Sequence, residues 1–278
     1  MSLLDLLPRI AVDKPWGRAD LPAPFTPAPE GKTGEIWFDP PPLLRELLVK
    51  YIFTSENLSV QVHPSDAQTL AKGLGAQGKE ECWLVIEAQP GARLGIGLRE
   101  ATDAETLRAA ALDGSIEAMM DWHKVRPGDF FYIPAGTIHA IGAGVTVLEI
   151  QQNSDITYRL YDYGRPRSLH LDEGTAVALP ETYDMAGMHK VLPEAGSLSL
   201  VDGPLFRLDL CEGPLLPVTL AAYGSEPKLI IPLNAPLRAG DGMASPGDCA
   251  LVTDLNALVI APATRFLIAQ PIPSGETL

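Results

Sequence analysis

RPGDFFYIPAGTIHAIGAGVTVLEIQQNSDITYRLYDYGR, residues 126–165, decides how the rest of the chain is read. It opens on Arg126-Pro127-Gly128-Asp129, a turn in which proline sets φ and glycine takes the permissive second position. The apolar, aromatic run from Phe130 to Ile133 is short enough for a buried strand. Pro134-Ala135-Gly136 stops it and delivers His139 just past a second turn. Gly142-Ala143-Gly144 makes a further reversal, and Val145 to Ile150 reads as the returning strand of a hairpin. A histidine at the mouth of such a hairpin is well placed to hold a metal inside a small β-barrel.

Upstream, Leu58-Ser59-Val60-Gln61-Val62-His63-Pro64 alternates, so Ser59, Gln61 and His63 share one strand face while Val60 and Val62 share the other. Lys79, Glu81 and Trp83 share a face if the next strand begins at Lys79, which turns Cys82 to the opposite side. Gln61, His63, Glu81 and His139 then supply an amide oxygen, two imidazoles and a carboxylate, a mixed N/O set with room for water, as in an open catalytic metal site. Zinc is the first choice, one per chain, and manganese, iron or cobalt accept the same ligand types. Taken singly these residues are ordinary: a strand histidine is more often a hydrogen-bonded core residue, and Glu81 reads equally as solvent-facing. Their convergence is what separates the two readings.

Around this centre, residues 1–34 read as Pro-rich and irregular, with a surface loop at 22–31. Within them Lys14-Pro15-Trp16-Gly17 is dense, and Trp16 either plugs a barrel end or walls a pocket. Glu35 to Phe38 reads as a first strand. Leu43 to Phe53 is apolar with Lys50 embedded, and 65–78 reads as loop. Thr102-Asp103-Ala104-Glu105 predicts a capping box opening a helix to Leu112. A second short helix follows over 115–122, with His123 near its C-terminus. Residues 166–195 read as irregular with a short helix, and 196–278 as short strands cut by Gly and Pro. Ser245-Pro246-Gly247-Asp248-Cys249-Ala250-Leu251-Val252 echoes the Arg126 to Ile133 run, with Leu258 at the offset of His139. Two barrels of like design follow, only the first keeping its metal ligand.

Composition sets the outer bounds. The 278 residues suffice for one large or two small domains. A net charge of −14 argues against nucleic acid or an anionic membrane as partner, so an anionic substrate would need a local cluster of Lys and Arg. The three cysteines, Cys82, Cys211 and Cys249, lack CxxC spacing and are expected as free thiols in a reducing, cytoplasmic setting. MSLLDLLPRI has no basic n-region, and no apolar run reaches the ~18 residues of a membrane span.

Gly128-x5-Pro134-x-Gly136-x2-His139 resembles the second motif of the cupin superfamily, and Gln61-x-His63 with Glu81 resembles the first. Gln61 replaces the usual first histidine, the gap to Glu81 is longer, and Ala143 stands where asparagine is common. LSVQVHP (58–64), GKEECW (78–83), PAGTIHAI (134–141) and EIQQNSDITYRLYDYGR (149–165) together resemble the class I mannose-6-phosphate isomerase (phosphomannose isomerase) family, especially its short bacterial form, over most of residues 14–170. That resemblance implies a mainly β chain of two cupin-type jelly-roll barrels. Residues 1–165 would form the catalytic barrel with a helical insertion near 102–122, and 166–278 a degenerate barrel without a metal site.

The same resemblance puts Gln61, His63, Glu81 and His139 at the zinc ligands, Lys79 and Arg159 at active-site basic positions, Glu149 at an active-site carboxylate and Ser59 near the phosphate. Trp16, in its reading as a pocket wall, is expected to bind substrate with Ser59, Lys79 and Arg159. It implies interconversion of mannose 6-phosphate and fructose 6-phosphate by moving a proton between C1 and C2, the carrier being Glu149, Lys79 or a water at the metal. Glu-Ile-Trp-Phe at 35–38 departs from the family's frequent Glu-x-Trp-Glu. Two rivals stand beside it: an iron-dependent cupin dioxygenase, disfavoured by Lys79 and Arg159, and a non-catalytic sugar-phosphate sensor, disfavoured by Glu149. His170 and His189 read as structural or exposed, His123 as a polar residue favourable to the dipole at its helix C-terminus, and Lys124 and Arg165 as surface charges. An alternative for Arg159 is a salt bridge to Asp155 or Asp162.

Overall fold

The computed structural model describes residues 3–26 and 31–272. Its centre is a seven-stranded antiparallel sheet ordered His189–Val191, Asp129–Ile133, Glu81–Ala88, Val145–Gln152, Leu47–Phe53, Thr33–Phe38, Arg9–Arg18. A five-stranded sheet, ordered Tyr158–Tyr161, Val60–Val62, His139–Ile141, Arg93–Leu98, Met120–Lys124, packs on one face of it. Trp83, Val85, Phe131 and Val147 of the larger sheet meet Leu94, Ile96 and Ile141 of the smaller one. The opposite face of the large sheet, with Tyr51, Leu84, Phe130 and Leu148, packs against Leu208, Leu210, Leu229 and Leu267 of the C-terminal region. Covered on both sides, Leu47–Phe53 and Val145–Gln152 are buried along their whole length. That explains why they read as apolar runs rather than alternating strands. Val60, Val62, Ile138 and Leu160 point away from the barrel and are covered by Leu107, Ala111 and Val177 of the helices Ala104–Asp113 and Leu171–Val177.

The C-terminal sheet is six-stranded, ordered Leu4–Leu6, Ala250–Val252, Lys228–Pro232, Arg265–Pro271, Phe206–Glu212, Leu198–Asp202. The echoed octapeptides fold alike. Asp129 Oδ2 accepts from the Arg126 N–H and Asp248 Oδ2 from the Ser245 N–H, both at 2.8 Å. Gly128 and Gly247 adopt φ of 91° and 88°, where a side chain would be strained. Each half lends the other a three-residue edge strand: Leu4–Leu6 pairs with Ala250–Val252, and His189–Val191 with Asp129–Ile133. A boundary at residue 165 is thus crossed in both directions.

Several expectations are corrected. The N-terminal segment is not irregular: Arg9–Arg18 is an edge strand, largely exposed along its first half, so no alternation marks it. The middle of the expected 22–31 loop, residues 27–30, lies outside the described residues. Gly142–Gly144 does not close a hairpin. His139–Ile141 pairs in the five-stranded sheet and Val145–Gln152 in the seven-stranded one, so this turn is a corner between sheets. A Cβ on Gly142 would lie 2.3 Å from the Arg93 carbonyl oxygen. Within the expected 65–78 loop, Ser65 and Gln68 form a capping box that opens the helix Asp66–Ala71. At the insertion the cap is Asp103, not Thr102: its carboxylate accepts from the Thr106 N–H at 2.7 Å. The second helix is only Ile116–Met119, and His123 lies on the strand Met120–Lys124, in register with Leu94. Backbone pairing along Arg93–Leu98 overrides helix propensity there.

Candidate metal centre and pocket

Strand parity builds the site. Gln61 stands between Val60 and Val62 and so faces the barrel interior, in register with His139 on one side and Arg159 on the other. His63 and Glu81 flank the strand ends, and Glu81 pairs with Ile133 and Gln151. Cys82 points the other way, into the core shared with the C-terminal sheet. His63, Glu81 and His139 are fully buried, and their ligand atoms lie within 4.8 Å of one another, a group that can hold a metal ion. Gln61 Nε2 approaches His139 Nε2 at 3.2 Å, and its amide oxygen accepts from Ser59 Oγ at 3.2 Å.

The hydrogen bonds choose the tautomers. His63 Nδ1 donates to the Ile156 carbonyl and His139 Nδ1 to the Thr137 carbonyl, each at 2.9 Å. Both Nε2 lone pairs are left facing Glu81, at 3.5 Å from Oε2 for His63 and 3.4 Å from Oε1 for His139. Burial pushes both imidazoles below their ordinary range, His63 furthest because the Lys79 ammonium adds to it. They are therefore neutral, as metal ligands must be. Burial alone would raise the Glu81 carboxyl, but the neighbouring positive charge, that of the Lys79 ammonium foremost with Lys50 behind it, outweighs it and holds it below its usual range. Neither Glu81 oxygen has an aligned hydrogen bond, although Lys79 Nζ lies 2.9 Å from Oε2 as an ion pair. The carboxylate faces two imidazole lone pairs and has no aligned donor of its own, an electron-rich cluster that a divalent cation would neutralise. The donor set fits a divalent metal.

Beside this group opens a pocket of about 350 Å³, lined among others by Ser59, Gln61, Lys79, Arg159 and Arg167. Glu149 is 2% exposed on its wall, its Oε2 accepting from Trp83 Nε1 at 2.8 Å and its Oε1 ion-paired to Lys50 at 2.9 Å. Lys50 continues to Glu35 at 3.8 Å, and Glu35 to the half-buried Lys14 at 3.3 Å, an alternation of charge along the wall. Burial opposes the Lys50 charge, but Glu149 and Glu35 prevail and raise its pKa. Trp16 both walls the pocket and packs into the barrel core.

Arg159 forms no carboxylate ion pair among the described residues: its Nε donates to the Ser168 carbonyl at 3.2 Å, leaving the fork to the pocket. Burial first, then the neighbouring Arg167 guanidinium, loosens its proton. His170 is structural, its Nδ1 accepting from the Arg159 N–H at 3.1 Å. Arg165 is not a free surface charge; it joins Asp162 and Glu56, each at 3.1 Å. Arg167 grips the same Asp162 through two bonds of 2.6 Å. Sequence reading missed Lys50, Glu35 and Arg167 as pocket residues. A lone lysine inside an apolar run was the available signal at Lys50.

No family model matches the chain. Over 172 residues it is 39% identical to mannose-6-phosphate isomerase ManA of Bacillus subtilis (strain 168), covering 58% of this chain and 54% of that protein. It is 44% identical over 137 residues to a mannose-6-phosphate isomerase of Streptococcus mutans, covering 47% and 43% respectively. The matched stretch spans about half the length of these curated relatives. A crystal structure of the mannose 6-phosphate isomerase from Bacillus subtilis shares the fold at a TM-score of 0.80 and 24% identity, covering 97% of this chain and 100% of that one. A variant of phosphomannose isomerase from Salmonella typhimurium does so at 0.72 and 14%, covering 98% and 100%. The resemblance read from the motifs is thus met in sequence over part of the chain, and in fold over nearly all of it.

Proposed function

We propose that the chain is a metal-dependent mannose-6-phosphate isomerase, interconverting mannose 6-phosphate and fructose 6-phosphate by proton transfer between C1 and C2. The observation that carries this reading is a neutral His pair facing a buried carboxylate, set beside one pocket whose lining brings together a second carboxylate, Glu149, and the guanidinium of Arg159.

Gln61, His63, Glu81 and His139 would hold one divalent ion, zinc by donor type. When bound, such an ion draws charge from the substrate's carbonyl and hydroxyl oxygens, which makes the neighbouring C–H acidic. The chain's own residues do the rest. Arg159, with Arg167 beside it, takes the phosphate and so fixes C1 and C2 against the wall. Glu149, oriented by the Trp83 N–H and neutralised by Lys50, carries the proton between the two carbons. Trp16 and Ile141 exclude water from that face. The six-stranded sheet acts as the degenerate second barrel and buttresses the large sheet from behind. Among the described residues no helix is long and apolar enough to cross a membrane. Three buried free thiols accord with a reducing, cytoplasmic setting, and the net charge of −14 disfavours nucleic acid or an anionic membrane as partner.

A coupled assay supplying mannose 6-phosphate or fructose 6-phosphate, with and without chelator, tests this directly. Turnover in both directions that chelation abolishes and zinc restores is the expected result. Absence of turnover in the metal-loaded protein would remove the reading.

A further inference from the structure

Lys79 stands where the ligand set meets the pocket. Its Nζ lies 2.9 Å from Glu81 Oε2 and 3.1 Å from His63 Nε2, among the lone pairs that a divalent ion would take. Its side chain also lines the pocket, as do those of Ser154, Asp155 and Glu149. The backbone beneath it is pinned. The Lys79 N–H donates to the Pro64 carbonyl at 2.9 Å, and a Cβ on the preceding Gly78 would fall 2.3 Å from that same oxygen. Only the side chain is free to choose.

A zinc-type ion sits roughly 2.0–2.2 Å from nitrogen and carboxylate ligands. No ammonium can keep both of its present contacts beside it, and the two charges repel. We infer that Lys79 is a built-in counter-ion of the ligand set, and that a divalent ion binding there drives its ammonium into the pocket. Its charge then becomes available to the substrate's anion. This rests on the metal reading above and deepens it. Metal and anionic substrate would favour one another through one side chain, and the coupling would be reciprocal.

The direct readout needs no variant and no turnover. Native protein, stripped of metal by chelation or loaded with zinc, is treated briefly with acetic anhydride, and acetylation of Lys79 is followed by mass spectrometry. A rise of about fivefold or more in the Lys79 rate on zinc loading is expected from a coupling of this kind, with distant surface lysines such as Lys124 unchanged. An unchanged or lower rate in protein that binds zinc one to one overturns the displacement while leaving the metal site standing. Failure to bind zinc overturns both. In a second measurement, Lys79→Met should bind zinc about tenfold more tightly than the wild-type chain, because the competing cation is gone. It should also lose any zinc-dependent gain in affinity for inorganic phosphate. Persistence of that gain in Lys79→Met would mean that phosphate reaches the metal directly, which also overturns the proposal.

Discussion

The two halves of the molecule use one strand plan for opposite ends. In the N-terminal sheet Glu81 pairs with Ile133, and Trp83 with Glu149, which pairs in turn with Lys50. In the C-terminal sheet the same register sets Lys228 against Val252, and Ile230 against Ile268, which pairs with Asp209. The echoed turns align Ile133 with Val252, so Lys228 holds the place of Glu81, Ile230 that of Trp83, Ile268 that of Glu149 and Asp209 that of Lys50. Ile230 and Ile268 join Cys211, Tyr223 and Phe266 in an apolar cluster, whereas Glu149 borders the pocket and Trp83 donates a hydrogen bond to it. The fold therefore needs none of the polar residues that line the N-terminal interior. They are placed there against the hydrophobic preference of the position, at a cost that chemistry has to justify.

The largest test is to give the first half the second half's residue. His139→Leu imports the residue found at Leu258. It should lower turnover at least about a thousandfold, as expected where a metal supplies several kcal/mol. Elemental analysis should find less than the full metal complement, while the metal-free protein keeps its fold and unfolds in urea within about 1–2 kcal/mol of the parent. An inactive variant that retains its metal would show that His139 works in some other way.

Much of this contrast was legible in the sequence because it follows strand parity. Gln61 and His63 share a face, Cys82 turns away from Glu81, and the Gly-Asp turns announce themselves twice. What was not legible depended on pairing at a distance. Lys50 looked like an oddity in an apolar run because its partners, Glu149 and Glu35, lie on neighbouring strands. The Gly142–Gly144 turn has hairpin chemistry, and only the sheets on either side of it decide that it is a corner. Arg9–Arg18 is held by pairing to Thr33–Phe38 with half its length exposed, so no periodicity records it. Asp103 outcompeted Thr102 as helix cap by one residue, a shift within the ordinary uncertainty of helix ends.

The reverse exchange should harm stability rather than activity. Ile268→Glu would bury a carboxylate where Glu149 stands in the other half, but with Asp209 opposite it instead of Lys50 and Ile230 in place of the Trp83 donor. An uncompensated buried charge of this kind costs about 3–5 kcal/mol. The urea midpoint should fall accordingly, and should recover in part at low pH as the new carboxyl protonates. A loss below about 1 kcal/mol would mean that the C-terminal interior is wet, and the contrast between the halves would weaken.

A smaller effect is expected at Arg159 on the pocket lining, which has no counterpart in the apolar cluster. Arg159→Ala should raise KM for the phosphosugar and lower kcat, together costing about ten- to a hundredfold in kcat/KM, since phosphate binding positions the reacting carbons. Arg159→Lys should recover KM better than kcat, because a point charge attracts the phosphate without the planar fork that orients it. Kinetics unchanged from the parent in Arg159→Ala would remove this residue from the site.

The smallest effect belongs to Leu258→His, which restores a histidine to the echo. Leu258 is half-buried at the end of the short helical turn Leu255–Ala257 and packs against the C-terminal cluster, so the change should cost about 1–2 kcal/mol. It should not create a second metal centre. Where Glu81 offers a carboxylate, this half offers Lys228, fully buried with its Nζ donating to the Gly224 carbonyl at 2.8 Å. Burial lowers the Lys228 pKa, which makes its ammonium easier to discharge but does not turn it into a carboxylate. Among the described residues, moreover, the C-terminal region has a two-stranded ribbon, Leu237–Ala239 with Gly242–Ala244, instead of a five-stranded sheet that would carry partners like Gln61 and His63. Zinc should stay at one equivalent per chain. A second equivalent bound by Leu258→His would show that the ligand set is less demanding than four converging side chains, and that the echo preserves more of the site than its turn.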